Sequence, residues 1–231
     1  MQNANYPITP HVDPPEPPVD TGFKPEAEAG EVLRGHETYA TILADPPWRM
    51  NQQGRYGAER HYDTMTLEDI KAMGEALAPY IADNAHLYLW IPNGIVDEGL
   101  EVMEAWGFRY ITSFVWIKPV MGLGQYFRTA HETVLFGVKG RLPFEFHSQP
   151  SWCFAPRQDH SHKPEEQYAI IERCSPGPYL ELFARRRQPG WDAWGNEIGS
   201  DIYLPNYPVP EYSKKGRLYL PNTGENHEET R

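Results

Sequence analysis

Hydrophobic positions along this chain fall into short apolar runs that alternate with amphipathic segments. The apolar runs predict buried strands at five places: 42–44, 86–91, 110–117, 131–138 and 179–184. Leu67, Ile70, Met73 and Leu77 recur at helical spacing behind Thr66, which with Asp69 forms a capping-box-like helix start. Further helices are expected around 97–106 and 164–173. The strand-helix-strand alternation predicts an α/β fold with parallel strand pairing and helical crossovers.

The two ends of the chain differ in composition from its middle. Residues 1–31 contain seven prolines and little apolar periodicity, so this acidic segment predicts an N-terminal arm. From about residue 206 the sequence again becomes polar and rich in proline, which predicts a tail over 206–231. The expected folded domain is therefore 32–205, a length that suits one α/β domain.

Charge and cysteine content narrow the class of protein. The formal net charge of −11 opposes binding to phosphate, yet residues 120–190 hold nine Lys and Arg against seven Asp and Glu, which is compatible with a locally positive face. Cys153 and Cys174 lack the spacing of a metal site, so no metal is expected. Because no apolar run is long enough for a membrane span and no signal peptide is evident, we expect an intracellular, cytoplasmic protein without a membrane partner.

The sequence Asp-Pro-Pro-Trp at 45–48 directly follows the first apolar run. Asp45 would lie at the carboxyl end of a strand, where open α/β sheets bind ligands. Pro46 and Pro47 have no N–H, so the turn is expected not to bond back on itself and to present the Pro46 carbonyl outward. Two acceptors suit the NH2 group of a base, on which Trp48 could stack. The alternative is a proline-rich turn with Trp48 packed in the core.

Three loops are candidates for recognising a target. Residues 49–63 form a long polar stretch that includes Arg55 and Tyr56. Residues 121–128 form a Gly-rich loop that we interpret as a lid or a hairpin bend, since two glycines are weak evidence for a cofactor loop. The third candidate is the irregular stretch 143–162.

Six segments occur together in one order: Ala-Asp-Pro-Pro-Trp, Trp-Ile-Lys-Pro at 116–119, His131-Glu132 with Leu-Phe-Gly, His160-Ser-His-Lys-Pro164, Glu181-Leu-Phe-Ala-Arg185, and Trp194-Gly-Asn196. Over residues 40–198 the series closely resembles the N6-adenine methyltransferase family whose best-known member is the catalytic subunit of the eukaryotic mRNA methylation complex. It is most similar to the short bacterial and phage relatives. Each motif is weak alone, but the shared order makes coincidence very improbable.

The resemblance implies a Rossmann-like methyltransferase fold in permuted order, with the catalytic strand before the main cofactor strand, 179–184. It also implies S-adenosylmethionine as cofactor. Asp45 would touch the methionine amino group and the target amine, and Lys163 would pair with the methionine carboxylate. The remaining cofactor residues would be Arg185, Arg187 and Gln188 near the ribose, and Asn196 and Glu197 at the adenine. Glu197 departs from relatives that carry Gln, since a carboxylate can only accept from the adenine amine.

Other polar and aromatic residues of the motifs and loops are candidates for contacts with the nucleic acid. They are Trp48, Arg55, Tyr56, Lys118, Arg128, His131, Glu132, Arg157 and His160. The histidines have no metal-ligand spacing, so hydrogen-bonded loop positions or phosphate contacts are preferred for them.

The expected function is transfer of a methyl group from S-adenosylmethionine to the N6 amine of adenine, with Asp45, Pro46, Pro47 and Trp48 as the catalytic set. DNA is favoured because the zinc fingers and partner domains of the mRNA enzymes are not seen in this sequence. The alternatives are RNA adenine, cytosine N4, or a non-catalytic binding partner of a methyltransferase. The acidic surface is compatible with a partner subunit or a homodimer.

Overall fold

The computed structural model describes residues 36–49, 64–122, 124, 126–158 and 162–207. Seven strands form its sheet: β1 (Tyr39–Ala44), β2 (Ile81–Ile91), β3 (Arg109–Ile117), β4 (His131–Lys139), β5 (Trp152–Phe154), β6 (Tyr179–Leu182) and β7 (Trp191–Trp194). The three α-helices of the described part are α1 (Leu67–Leu77), α2 (Val96–Ala105) and α3 (Glu166–Cys174). The predicted α/β class is confirmed.

The strand order across the sheet is β5-β3-β4-β2-β1-β6-β7. Of these seven strands, only β4 is antiparallel to its neighbours, β2 and β3. The predicted parallel crossovers are present, yet β3 does not lie beside β2, since β4 is inserted between them. Residues 118–130 therefore connect two antiparallel neighbours as a hairpin, which is one of the two interpretations made for this loop.

Alternation along the strands produces two apolar layers, one on each face of the sheet. Ile42, Ala44, Leu87 and Leu89 belong to the layer that packs against α1 and α2. Leu43, Tyr88 and Trp90, which point the other way, belong to the layer beneath α3. Both faces of the central strands are thus buried, as expected for a parallel sheet covered by helices.

Helix α1 begins as the sequence predicts. Thr66 is its N-cap and accepts from the Asp69 backbone N–H, while the Asp69 side chain accepts from the Thr66 backbone, which completes a capping box. Helix α3 starts at Glu166, two residues after the predicted start, because Pro164 belongs to a preceding turn whose carbonyl accepts from the Gln167 N–H at 3.1 Å.

The segment after β7 returns to the α1 side of the sheet. Ile202, Leu204 and Tyr207 are buried there, and the Tyr207 hydroxyl donates to the Asp69 carbonyl at 3.3 Å. Packed structure therefore continues to Tyr207. The division into an arm, a domain over 32–205 and a tail stays a prediction, because residues 1–35 and 208–231 lie outside the described residues.

Candidate active site

Asp45 lies directly beyond β1, in the middle of the sheet. Ala44 pairs with Leu89 of β2 and with Leu182 of β6, so the next residue emerges at the carboxyl edge between these two strands. Its Oδ2 accepts a hydrogen bond from Lys163 Nζ at 2.7 Å. The chain therefore brings an acid and a base from distant motifs together at the edge where α/β folds bind their ligands.

The Asp45–Lys163 pair continues into a row of alternating charges. Lys163 Nζ also lies 3.4 Å from Glu132 Oε2, and the other oxygen of Glu132 accepts from Lys118 Nζ. Lys163 Nζ stands 5.0 Å from the centre of the Trp90 ring, and Lys118 Nζ stands 4.6 Å from that of Trp116. Buried indole rings thus support both ammonium groups through cation–π attraction.

The row keeps its charges despite its burial. Burial alone disfavours the Lys163 ammonium, but the neighbouring Asp45 and Glu132 carboxylates outweigh it and raise the pKa of Lys163. Burial likewise disfavours the Glu132 carboxylate, and the Lys163 and Lys118 ammonium groups reverse this effect and lower the pKa of Glu132. Lys163 and Glu132 therefore stay charged at the centre of the row, where either could exchange a partner with a charged ligand.

Glu181, the first residue of one of the six motifs, is a candidate site residue with no role predicted from the sequence. It faces Leu43 across the β1–β6 pairing, and its Oε2 accepts from the Tyr168 hydroxyl at 2.9 Å. Burial raises the pKa of Glu181 to about 7, the nearby Asp45 charge adds to the increase, and the Tyr168 bond offsets part of it. The detectable signal in the sequence was a carboxylate inside an apolar strand.

The Asp-Pro-Pro-Trp turn differs from its prediction in two respects. The turn does bond back on itself, because the Trp48 N–H donates to the Pro46 carbonyl at 2.8 Å. Trp48 supplies the first backbone donor after two prolines, and a three-residue turn brings it to that oxygen. The expectation that the turn does not bond back on itself is therefore wrong, and the Pro46 carbonyl of this buried residue already accepts one hydrogen bond.

The side chain of Trp48 requires the second correction. Its ring is 5% exposed within the core layer of α1, and its Nε1 donates to the Trp90 carbonyl at 2.9 Å. An indole held in this way cannot stack on an incoming base. The alternative interpretation, a tryptophan packed in the core behind the turn, is the one that the structure supports.

The predicted cofactor residues after β6 and β7 lie close together. The Ala184 N–H donates to the Trp194 carbonyl at 3.0 Å, and a Cβ at Gly195 would stand 1.9 Å from the Ala184 carbonyl oxygen, so only glycine permits this approach. Arg185 Nε consequently lies 3.3 Å from Glu197 Oε1, at the tips of both strands. The half-buried Asn196 is next to Glu197 in the chain.

Arg187 and Gln188 have identifiable contacts within the protein. Arg187 pairs with Asp201, which also accepts from the Ala193 N–H at 2.9 Å, so this arginine holds the segment after β7 against the strand. The Gln188 carbonyl accepts from the Trp191 N–H at 3.1 Å, and its side chain is half-buried. Their predicted places near a ribose stay predictions.

The other predicted nucleic-acid residues are dispersed around this centre. Asn93 Nδ2 lies 3.1 Å from His131 Nε2, Arg128 Nε donates to the Gly122 carbonyl at 2.7 Å, and Arg157 is exposed. Arg55, Tyr56 and His160 lie outside the described residues. The structure therefore joins Lys118 and Glu132 to the Asp45–Lys163 pair, whereas the contacts of His131 and Arg128 are with other residues.

Two features are absent from the described residues. They contain no group of three or more His, Cys, Asp or Glu side chains able to hold a metal ion. None of their helices has the length and hydrophobicity required to cross a membrane.

Comparison with known proteins matches the MT-A70 family model to residues 39–197. The catalytic subunit METTL3 of the N(6)-adenosine-methyltransferase from Homo sapiens is 32% identical over 174 residues, which are 69% of this chain and 28% of that protein. The MT-A70-like protein of Drosophila melanogaster is 31% identical over 190 residues, 77% of this chain and 30% of that protein. The type II methyltransferase M.MunI of a Mycoplasma species is 31% identical over 195 residues, 69% of this chain and 78% of that protein.

The chain thus spans less than a third of the length of the animal relatives and most of the length of the Mycoplasma relative. These matches confirm the resemblance drawn from the order of the six motifs, because the matched range covers all of them. The chain belongs to the MT-A70 family.

Proposed function

We propose that this protein is an S-adenosylmethionine-dependent methyltransferase that acts on the N6 amine of adenine in DNA. The observation that carries the proposal is the 2.7 Å contact between Lys163 and Asp45 at the carboxyl edge of the central strand. It joins the residue predicted to hold the methionine carboxylate to the residue predicted to hold the methionine ammonium and the target amine.

The charges of this pair suit the cofactor. The methionine part of S-adenosylmethionine carries one ammonium and one carboxylate, and when bound the cofactor supplies an electrophilic methyl group on a positively charged sulfur. Lys163 would turn from Asp45 to the carboxylate, while Asp45 would receive the ammonium, so each charge exchanges one partner for another. Arg185 and Glu197, which already meet at the tips of β6 and β7, would face the ribose and the adenine.

Asp45 would also activate the target. An aromatic NH2 is a weak nucleophile because its lone pair is delocalised into the ring. A carboxylate that accepts one of its hydrogens favours the pyramidal nitrogen and stabilises the positive charge that develops there during attack. Holding nitrogen and methyl carbon at near-attack distance supplies much of the acceleration. The proton leaves after the transfer, when it has become acidic, so no general base is needed before attack.

The base would enter from the side of the sheet where β3 ends and β4 begins. Lys118 and Glu132 adjoin Lys163 there, and Arg128 and His131 lie farther along the same hairpin. With Trp48 committed to the core, these polar groups rather than an indole are the candidates for holding the target nucleotide.

DNA is favoured over RNA because the match to the Mycoplasma protein extends over most of that relative, which is of the short type that the motif resemblance associates with DNA. The human relative is named as a catalytic subunit, which supports a partner subunit or a second copy for this chain as well.

The test is transfer of labelled methyl from S-adenosylmethionine to matched DNA and RNA, followed by nucleoside digestion and mass spectrometry. Asp45→Asn keeps the shape of the side chain and removes its charge, and Asp97→Asn makes the same change at an exposed position of α2 as a control. We expect N6-methyladenine in DNA from wild type and Asp97→Asn, and at least about a 100-fold loss for Asp45→Asn. Label in RNA alone would refute the choice of DNA. Cofactor binding without label in either polymer would indicate a non-catalytic partner.

A further inference from the structure

The hairpin between β3 and β4, residues 118–130, has a closed stem. The Lys118 N–H donates to the Ala130 carbonyl at 2.8 Å, and the Gly122 N–H donates to the Thr129 carbonyl at 2.7 Å. Arg128 Nε adds a third bond, to the Gly122 carbonyl at 2.7 Å. The described part of this loop is therefore fixed by hydrogen bonds across its width, although Leu123 and Gln125 lie outside the described residues.

Two aromatic side chains stand at the tip of this stem. Tyr126 is 97% exposed and Phe127 is 90% exposed. Neither ring takes part in a ring–ring contact with any other described aromatic residue. Large apolar rings held in water mark an interaction site when the backbone, rather than chance, places them there.

The backbone of the tip has such a constraint. A Cβ at Gly124 would stand 1.9 Å from the Phe127 carbonyl oxygen, so the chain passes this point only because residue 124 is glycine. This close approach restrains the backbone at Phe127. An exposed ring on a restrained backbone has less conformational freedom to lose on contact.

The stem connects the tip to the row of alternating charges that contains Asp45 and Lys163. Its first residue, Lys118, pairs with Glu132, which contacts Lys163. Phe127 is three residues from Ala130 at the base of the stem, a span of at most about 10 Å. The rings thus lie near the proposed site, because Ala130 is only two residues from Glu132. The neighbouring Arg128 is exposed, and its other guanidinium N–H groups are available to bind phosphate.

We propose that Tyr126 and Phe127 form a wedge that stacks on the bases flanking the target adenine and fills the space vacated when that adenine leaves the helix. This inference rests on the proposed function and identifies how the same site opens its substrate. A base must leave its stack before an enzyme can reach its exocyclic amine, and aromatic rings replace the lost stacking. Val120 and Met121 are also exposed on this hairpin, but neither has a ring that could stack on a base. Tyr126 and Phe127, next to the cationic Arg128, are the side chains of the hairpin that suit base stacking.

The test compares Tyr126→Ala and Phe127→Ala with Met121→Ala, a control on the same hairpin whose exposed side chain is not aromatic. Methyl transfer is measured on paired DNA and on DNA with an abasic site opposite the target adenine, which is already unstacked. We expect both aromatic variants to lose about 5- to 100-fold on paired DNA and much less on the abasic substrate. Phe127→Trp, which keeps a stacking surface, should retain activity, and S-adenosylmethionine affinity should stay at the wild-type value in every variant.

Two fluorescence measurements test the wedge without requiring turnover. Anisotropy measures DNA binding, and the intensity of 2-aminopurine at the target position measures whether that base leaves its stack. A fluorescence increase on binding that the two alanine variants lose supports the wedge, even if the wild-type protein transfers no methyl group. Equal losses on both substrates, or no loss on either, would overturn it. Unchanged DNA binding together with a change in molecular mass by light scattering would overturn it in favour of a protein surface.

Discussion

The Lys163 ammonium donates to the Asp45 carboxylate over 2.7 Å, although 118 positions separate the two residues in the chain. The fold achieves this contact by placing the end of β1 opposite the turn that leads into α3. Glu132 supports the same ammonium from the side of β4 at 3.4 Å. Lys163 therefore has two anionic neighbours, and it can leave one of them for a ligand while the other keeps its charge compensated.

Lys163→Met should weaken S-adenosylmethionine binding by about 10- to 100-fold, because a charge-assisted hydrogen bond to the methionine carboxylate is lost. Isothermal titration calorimetry measures the effect. Lys71→Met is the matched control, since Lys71 pairs with Glu68 of α1 and Glu101 of α2 instead of with the site residues. Wild-type affinity in the Lys163 variant would contradict its assignment to the cofactor.

Trp48→Phe should lower the free energy of unfolding by about 1–3 kcal/mol, because the Trp90 carbonyl loses the indole N–H that now bonds to it. Trp48→Ala should cost about 3–5 kcal/mol through the cavity that it leaves. Urea unfolding followed by circular dichroism measures both values. A Trp48→Ala protein of wild-type stability that binds DNA poorly would instead restore the stacking role.

Glu181→Gln should stabilise the protein more as the pH increases. Burial raises the pKa of Glu181 to about 7 in the folded state, whereas in the unfolded state the carboxyl has its ordinary pKa of 4.5. Between these two pH values the folded protein keeps a proton that the unfolded chain has released. Glu181 therefore reduces stability progressively between about pH 4.5 and 7, and the neutral amide avoids that cost. We expect a gain of about 1–3 kcal/mol at pH 8 and little at pH 4.

The measurement for Glu181 is urea unfolding at a series of pH values, with Glu104→Gln as an exposed control of the same charge change. A difference between Glu181→Gln and wild type that does not vary with pH would show that the carboxyl ionises freely in the folded protein.

Arg187→Ala and Arg185→Ala should separate structural from cofactor roles. Arg187 pairs with Asp201, so its loss should reduce stability by about 1 kcal/mol, a modest value because the arginine side chain is half exposed. Arg185 meets Glu197 at the strand tips, so its loss should act on S-adenosylmethionine affinity instead. Calorimetry and urea unfolding on both variants provide the comparison, and the reverse pattern would exchange the two assignments.

The sequence was sufficient for local structure because local structure depends on nearby residues. Apolar runs predicted five of the seven strands and missed the short β5 and β7. Thr66 with Asp69 predicted the start of α1 through a bond that spans three positions. The order of the six motifs likewise identified the family and named Asp45 and Lys163. The predicted permutation depends on which strand holds the cofactor, so it stays a prediction.

Tertiary structure decided what depends on partners distant in the chain. Whether Trp48 faces a ligand or the core is set by the Trp90 carbonyl, which only the pairing of β1 with β2 brings near. Glu181 acquires its raised pKa from burial under the folded chain and from the nearby Asp45 charge, while Tyr168 of α3 offsets part of the increase. The insertion of β4 between β2 and β3 turns the Gly-rich loop into an exposed hairpin. A sequence records which side chains are present, whereas burial and electrostatic fields arise from neighbours that only the folded chain assembles.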